Sequence, residues 1–196
     1  MAQRAQPRPM APYSAPNRPD SPSHLPSPLS HLMSIRVFVT GGTFDKHYNE
    51  IDGTLTFNES HVEHVLDRGR CKLDVKVEVL MMIDSLDMED ADRARIVAAF
   101  EHCAERQVVI THGTDTMVET AREIAAAGLG RTVVLTGAMI PFAFGSSDGL
   151  FNLGSALSFV QVLPPGVYVA MNGRCFTWDN VRKNRELGMF EAIRPA

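Results

Sequence analysis

Two threonines stand where short apolar runs give way to glycine. Thr43 closes Val39-Thr40-Gly41-Gly42-Thr43, and Thr114 lies within Ile110-Thr111-His112-Gly113-Thr114-Asp115-Thr116. The second stretch sets a carboxylate, Asp115, directly beside a hydroxyl. Hydroxyls and a carboxylate at strand ends point to nucleophilic attack on a carbonyl, with neither a metal nor a cysteine. A hydroxyl attacks only when a neighbour takes its proton. Lys183, in Val181-Arg182-Lys183-Asn184-Arg185, is a candidate for that neighbour. If buried beside Asp115 it would form an acid–base pair able to deprotonate a threonine. The alternative is a charge run on a solvated face.

Each motif also has a plainer reading. Gly41-Gly42-Thr43 lacks the lysine-serine ending of a phosphate loop and the spacing of a dinucleotide fingerprint, so it reads equally as a turn. Thr114-Asp115 can cap the helix that follows, and an acid there is favoured by the helix dipole. Ser85, in Ser85-Leu86-Asp87, fits a turn as well as a substrate contact. His61 and His64 are one helical turn apart, but no third ligand stands at metal-like spacing, so a solvated helix face is expected. His112 is expected to orient its loop without transferring protons. Met81-Met82 reads as core filling.

These residues need a scaffold, and the hydrophobic pattern supplies one. Strands are expected at Ile35–Val39, Val75–Ile83, Gln107–Thr111, Arg131–Thr136 and Val167–Met171. Helices are expected at Asn58–Arg68 (cap Asn58 or Ser60), Asp90–Glu105, Thr116–Ala127 (closed by Gly128) and Asp148–Leu163 (stopped by Pro164-Pro165). Continuous apolar strands alternating with helices imply an α/β fold: an open, mostly parallel, doubly wound sheet with helices on both faces, in a single domain. Such sheets bind ligands beyond the carboxyl ends of their strands. Thr43, Asp84-Ser85, Thr114-Asp115, Ala138 and the segment from Asn172 onward all fall there.

Composition narrows the partners. With 196 residues, 44% apolar content and a net charge of −4, the chain has the profile of a soluble domain rather than a nucleic-acid binder. No apolar run approaches the ~20 residues of a membrane span. Three scattered cysteines, Cys71, Cys103 and Cys175, suit reduced thiols in a cytosolic protein. Residues 1–34 hold eight of the twelve prolines, and three arginines against a single acid, Asp20. A disordered tail is expected there, and a folded domain over 35–196.

Taken together, the motifs resemble the bacterial L-asparaginase family across residues 35 to 194. Thr40-Gly41-Gly42-Thr43 resembles the family's first threonine motif and His112-Gly113-Thr114-Asp115-Thr116 its second. Thr136-Gly137-Ala138-Met139, with Ser147-Asp148-Gly149 and Asn152-Leu153, resembles a third block. Met171-Asn172-Gly173 and Val181-Arg182-Lys183 resemble the segment bearing the catalytic lysine. The resemblance implies that Thr43 attacks the side-chain amide of asparagine and that Tyr48, in a lid, accepts or relays its proton. It implies a second triad of Thr114, Asp115 and Lys183. Asp84 and Ser85 would hold the α-carboxylate and ammonium region, and backbone groups around Gly113, Thr114 and Ala138 the amide and its oxyanion.

Two departures stand out. Longer members carry a C-terminal domain that lends residues to a neighbouring subunit's site, whereas this chain resembles a short, single-domain branch. Leu86 stands where longer members commonly have glutamine. The expected reaction converts asparagine to aspartate and ammonia with water and no cofactor or metal. A homo-oligomer is expected, with no nucleic-acid or membrane partner. The rivals are hydrolysis of glutamine or a peptidyl asparagine, and a non-catalytic amino-acid sensor.

Overall fold

The computed structural model describes residues 34–195; the expected tail lies outside them apart from Ser34. The chain runs through β1 (Ile35–Gly41), a hairpin of β2 (Lys46–Asn49) and β3 (Thr54–Phe57), α1 (Val62–Arg68), β4 (Val75–Ile83), α2 (Asp90–Ala99), β5 (Gln107–Thr111) and α3 (Met117–Ala126). It continues through β6 (Thr132–Thr136), α4 (Gly149–Val162), β7 (Gly166–Met171), β8 (Arg174–Thr177), β9 (Arg182–Asn184) and β10 (Met189–Glu191).

The main sheet has the order β4-β1-β5-β6-β7-β8. Its first five strands are parallel, and β8 returns antiparallel along β7. Asn172 and Gly173 take φ of 51° and 78° at that return, the pair of positive values a tight hairpin needs. Alternate residues of each strand enter different cores. Phe38, Val108, Ile110, Val133 and Leu135 pack with α2 and α3 on one face. Val37, Val39, Val109 and Val134 pack with α1 and α4 on the other. Burial of both faces is why β5 and β6 read as unbroken apolar runs. The sheet is therefore the open, mostly parallel, doubly wound α/β arrangement expected from the sequence. Met81 and Met82 are partly buried, one against each core, as filling residues.

β1 lies between β4 and β5 although all three run the same way, so the chain crosses over it and opens a crevice at its carboxyl end. The expected helix over Asp90–Glu105 stops at Ala99 and becomes a short 3-10 turn, Phe100–His102. Arg131 explains the early end. Its guanidinium donates to the carbonyls of Phe100, Cys103 and Glu105 at 3.1, 2.6 and 2.7 Å, satisfying the acceptors of the irregular segment that replaces the last turn. The other helices fall within the spans expected for them. α1 starts at Val62, after a bond from its amide to Ser60 Oγ of 3.2 Å. The small sheets β2–β3 and β9–β10 carry no apolar run and were not foreseen.

Candidate active site

Three adjacent strand ends, those of β4, β1 and β5, converge on one crevice. Glycine makes the convergence possible. A Cβ on Gly42 would sit 2.4 Å from Gly113 Cα, and a Cβ on Gly113 would sit 2.3 Å from Ser85 Oγ. The loops of Gly42 and Gly113 touch backbone to backbone, and Gly113 packs on the Ser85 side chain, approaches that no larger residue permits. Thr43, the residue after Gly42, is half-buried in the turn Thr43–Asp45. The strand ends are also tied by threonines: Thr40 Oγ1 donates to Thr111 O at 2.8 Å, and Thr136 Oγ1 to Ala170 O at 2.8 Å.

The lysine, the acid and the second threonine meet. Lys183 Nζ lies 2.8 Å from Thr114 Oγ1 and 3.0 Å from Asp115 Oδ1. The lysine side chain is only 12% exposed. It is held by β9, whose residue Lys183 pairs with Phe190 of β10, a fully buried anchor. Arg185 contributes a second cation, with Nη2 3.5 Å from Asp115 Oδ1. The capping role considered for Thr114 and Asp115 is not what the structure contains. The helix cap is Thr116, without a side-chain cap bond, and its hydroxyl donates instead to Ser85 O at 2.8 Å. The carboxylate is turned toward the cations.

His112 is buried and bridges the loop to α3. Its Nδ1–H donates to Gly113 O at 2.8 Å, while Nε2 accepts from Thr120 Oγ1 at 2.8 Å. Burial, aided by nearby Arg93 and opposed by the Gly113 bond, pushes its pKa down to about 4. It is a neutral strut at physiological pH. Ala138 is buried on the next strand end, where Asn152 Nδ2 donates to Gly137 O and Asp148 accepts the amides of Met139 and Ile140.

Asp84 Oδ1 accepts the Leu86 amide at 3.0 Å, and Oδ2 pairs with Lys46 of β2. Burial alone would raise the Asp84 pKa. The Leu86 amide, Lys46 and the more distant Lys183 outweigh it, and the pKa falls. Ser85 Oγ is buried with no hydrogen-bond partner. Tyr48 is 56% exposed on the hairpin, and no hydrogen bond involving its hydroxyl is found among the described residues. A Cβ on Gly53, in the hairpin's own turn, would lie 3.9 Å from that hydroxyl. Tyr48 is thus outside the cluster that joins Lys183, Thr114 and Asp115.

The solvated face expected for His61 and His64 holds only for His64. The His61 ring packs against His47 at 4.3 Å, with both Nε2 atoms buried and unpartnered. Asp45, the last residue of the Thr43 turn, accepts the His61 amide at 2.7 Å and Ser60 Oγ at 3.2 Å. Burial raises the Asp45 pKa to about 6 despite these bonds and nearby His47. Among the described residues, no group of three or more His, Cys, Asp or Glu side chains is arranged to hold a metal ion, and no helix is long and apolar enough to cross a membrane.

A mostly parallel α/β domain with two threonines and an acid at adjacent strand ends, met by a lysine from β9, defines a candidate hydrolase of the threonine type. The profile described as "Asparaginase, N-terminal" matches residues 34–194, and the chain belongs to this family. It is 30% identical over 168 residues to the L-asparaginase of Thermococcus kodakarensis, covering 82% of this chain and 51% of that one. It is 32% identical over 174 residues to Escherichia coli L-asparaginase 2, covering 83% and 50%. The solved Thermococcus kodakarensis enzyme superposes with a TM-score of 0.69 at 29% identity, over 84% of this chain and 52% of that one. The L-asparaginase I structure from Vibrio cholerae gives 0.70 at 26%, over 82% and 51%. The chain spans about half the length of the curated relatives it matches.

Proposed function

We propose that this chain is an amidohydrolase that converts L-asparagine to L-aspartate and ammonia through a threonine nucleophile. The observation that carries the reading is the contact of Lys183 with both Thr114 and Asp115, on a loop pressed against the turn that bears Thr43. In this reading Thr43 Oγ1 adds to the amide carbon, and its proton passes to a base of the crevice, ultimately to the departing nitrogen. Ammonia leaves and an ester with Thr43 remains. Lys183, Asp115 and Thr114 act as one hydrogen-bonded unit that activates the hydroxyl or the water that frees aspartate. Backbone amides around Gly113, Thr114 and Ala138 are the donors for the oxyanion, a contribution of several kcal/mol in comparable sites. Tyr48 enters only if the hairpin folds inward over Thr43.

We assign residues 35–196 to the catalytic domain, in a cytosolic homo-oligomer, on the basis of family membership and the three unpaired cysteines. Ammonia release measured with asparagine and glutamine at graded concentrations tests the function. Steady turnover of asparagine is expected. Absence of turnover with any amide would leave a sensor of amino acids as the surviving account.

A further inference from the structure

β4 is an edge strand of the main sheet, and among the described residues nothing pairs along its outer side. It runs over Val75–Ile83 without a proline. A long apolar edge is a template for another strand unless a charge, a bulge or a covering element blunts it. Its register with β1 is regular over residues 75–79 and shifts only beyond them. That regular stretch is the part able to take a partner. The Ile35 amide donates to Asp74 O at 2.9 Å, which fixes the phase of the ladder. In a parallel pair, alternate residues turn both backbone groups toward the same neighbour. Asp74, Lys76 and Glu78 therefore face β1, while Val75, Val77 and Val79 turn their N–H and C=O groups outward.

The side chains follow the same alternation. Val75 and Val77 pack at the edge of the core beneath α1 and α4. Val79 stands in line with them by the pleat, yet is 52% exposed. On the other face, Lys76 reaches Glu105 and Glu78 reaches Arg36, with 52% and 48% of the two side chains still exposed.

This pattern is its own complement. When two β4 strands pair antiparallel about a two-fold axis at Val77, Val77 meets its twin and Val75 meets the partner's Val79. Lys76 then meets the partner's Glu78, and Glu78 the partner's Lys76. The valines form the hydrogen-bonded pairs, and the charges occupy the closer, non-hydrogen-bonded positions. Opposite charges directly across a ladder stabilise it, and like charges oppose it. An axis at Lys76 or at Glu78 would set each residue against its own twin, so only the valine-centred register satisfies the charges. We propose that β4 is the interface between two copies of this chain, joined edge to edge into one continuous sheet with an isologous, two-fold contact. The proposal gives a surface to the homo-oligomer reading above and rests on it, not on the amide chemistry.

Sedimentation velocity on the full chain from about 1 to 100 μM tests it, since a dimer must dissociate on dilution. The variants are Glu78→Lys, Lys76→Glu and Val79→Pro, and circular dichroism establishes that each is folded. Wild type should sediment as a dimer at the upper concentrations. Glu78→Lys and Lys76→Glu each place like charges across both ionic pairs, and each should weaken association at least roughly 10-fold, toward the single-chain mass of 21.6 kDa. Mixed in equal amounts, the two should associate again, because a strand with two lysines then faces one with two glutamates. Val79→Pro removes only an outward N–H, which an edge strand tolerates, and should weaken association while the fold is kept. If one charge variant fails to fold, the other and Val79→Pro still decide.

A single-chain mass for wild type at every concentration overturns the proposal together with the homo-oligomer reading. Folded variants as associated as wild type overturn the β4 interface alone and leave that reading standing on another surface. Two folded charge variants that stay apart when mixed overturn the valine-centred register on which the proposal depends.

Discussion

Strands β4, β1 and β5 carry charged clusters at both ends, and the two clusters differ in how fully they are paired, although Gln107 Oε1 at the start of β5 is also buried and unpartnered. At the amino ends, Glu105 is buried and saturated. It receives Arg36 Nε at 3.1 Å, Lys76 Nζ at 2.8 Å and the Cys103 thiol at 3.4 Å. Burial would raise its pKa, but Lys76, its own backbone, Cys103 and Arg36 hold it down at about 2. At the carboxyl ends, Ser85 Oγ and Asp45 Oδ2 are buried and unpartnered, and Asp84 shares a cation brought in from a separate hairpin. Saturated polar networks fix a fold, while unsatisfied ones cost stability and persist where a ligand completes them. One set of strands thus separates a stabilising end from a reacting end.

The sharpest way to break this contrast is to exchange their phenotypes. Lys183→Met and Thr43→Ala should each lower kcat by at least about 10³-fold, as for other nucleophile or base deletions, while melting temperature stays within a few degrees. Near-normal rates in either variant refute the assigned role. Glu105→Gln should do the reverse. It removes a carboxylate from Lys76, which is half exposed, and from Arg36, which keeps Glu78, so the cost falls below that of a fully buried pair, to about 1–3 kcal/mol, or a melting-temperature drop on the order of 5 °C for a domain this size. Its kcat should be unchanged. A Glu105→Gln protein as stable as wild type would show that the amino-end cluster contributes nothing.

The two buried carboxylates should also differ in sign against pH. Glu105 has its folded pKa, about 2, below the ordinary 4.5, so its stabilisation is present above pH 4.5 and is lost as pH falls toward 2. Asp45 has its folded pKa, about 6, above the ordinary 3.8. Its contribution is fully present below pH 3.8 and is lost as pH rises through 6, at most about 3 kcal/mol for a shift of this size. Asparagine at this position can still accept the His61 amide and carries no charge. The stability difference between Asp45→Asn and wild type, from denaturant melts at pH 4, 5, 6 and 7.5, should therefore grow in favour of the variant as pH rises. A flat difference removes Asp45 as a buried charge.

Most of the main sheet was legible in the sequence because it is buried on both faces. β5 was expected with the bounds observed because it is an apolar run buried on both faces; β4 was too, although it is an edge strand whose apolar residues alternate with Lys76 and Glu78 over its first half. The hairpins β2–β3 and β9–β10 were not, because strands of three or four residues are too short for an apolar run or an alternation such as Thr54-Leu55-Thr56-Phe57 to stand out. The site followed the same division. The loops of Thr43 and Thr114 were placed by their strands. Lys183 meets Asp115 across 68 residues of chain; the residue types offered that meeting only as an alternative to a solvated charge run, and the resemblance implied it. Lys46 and Asp45 lie in a polar stretch, Asp45-Lys46-His47-Tyr48, whose composition implies solvent. Asp45 is nonetheless fully buried, because the 3-10 turn directs it toward the amide of His61. Nothing local in the chain encodes that contact.

Arg185 offers the smallest test of the comparison, at the rim of the reacting end. It and Lys183 both approach Asp115 Oδ1, but Arg185 is 66% exposed against 12% for the lysine, and its contact is longer. An exposed pair is screened and is worth about 0–1 kcal/mol. Arg185→Ala should accordingly change kcat/KM by no more than about fivefold, and that change should shrink as salt is raised from 50 to 500 mM. Lys183→Met should be insensitive to salt because its contacts are shielded from solvent. A loss with Arg185→Ala as deep as that of the lysine variant, and as indifferent to salt, would mean that Asp115 needs two cations to hold its position, and the reacting centre would extend to the rim.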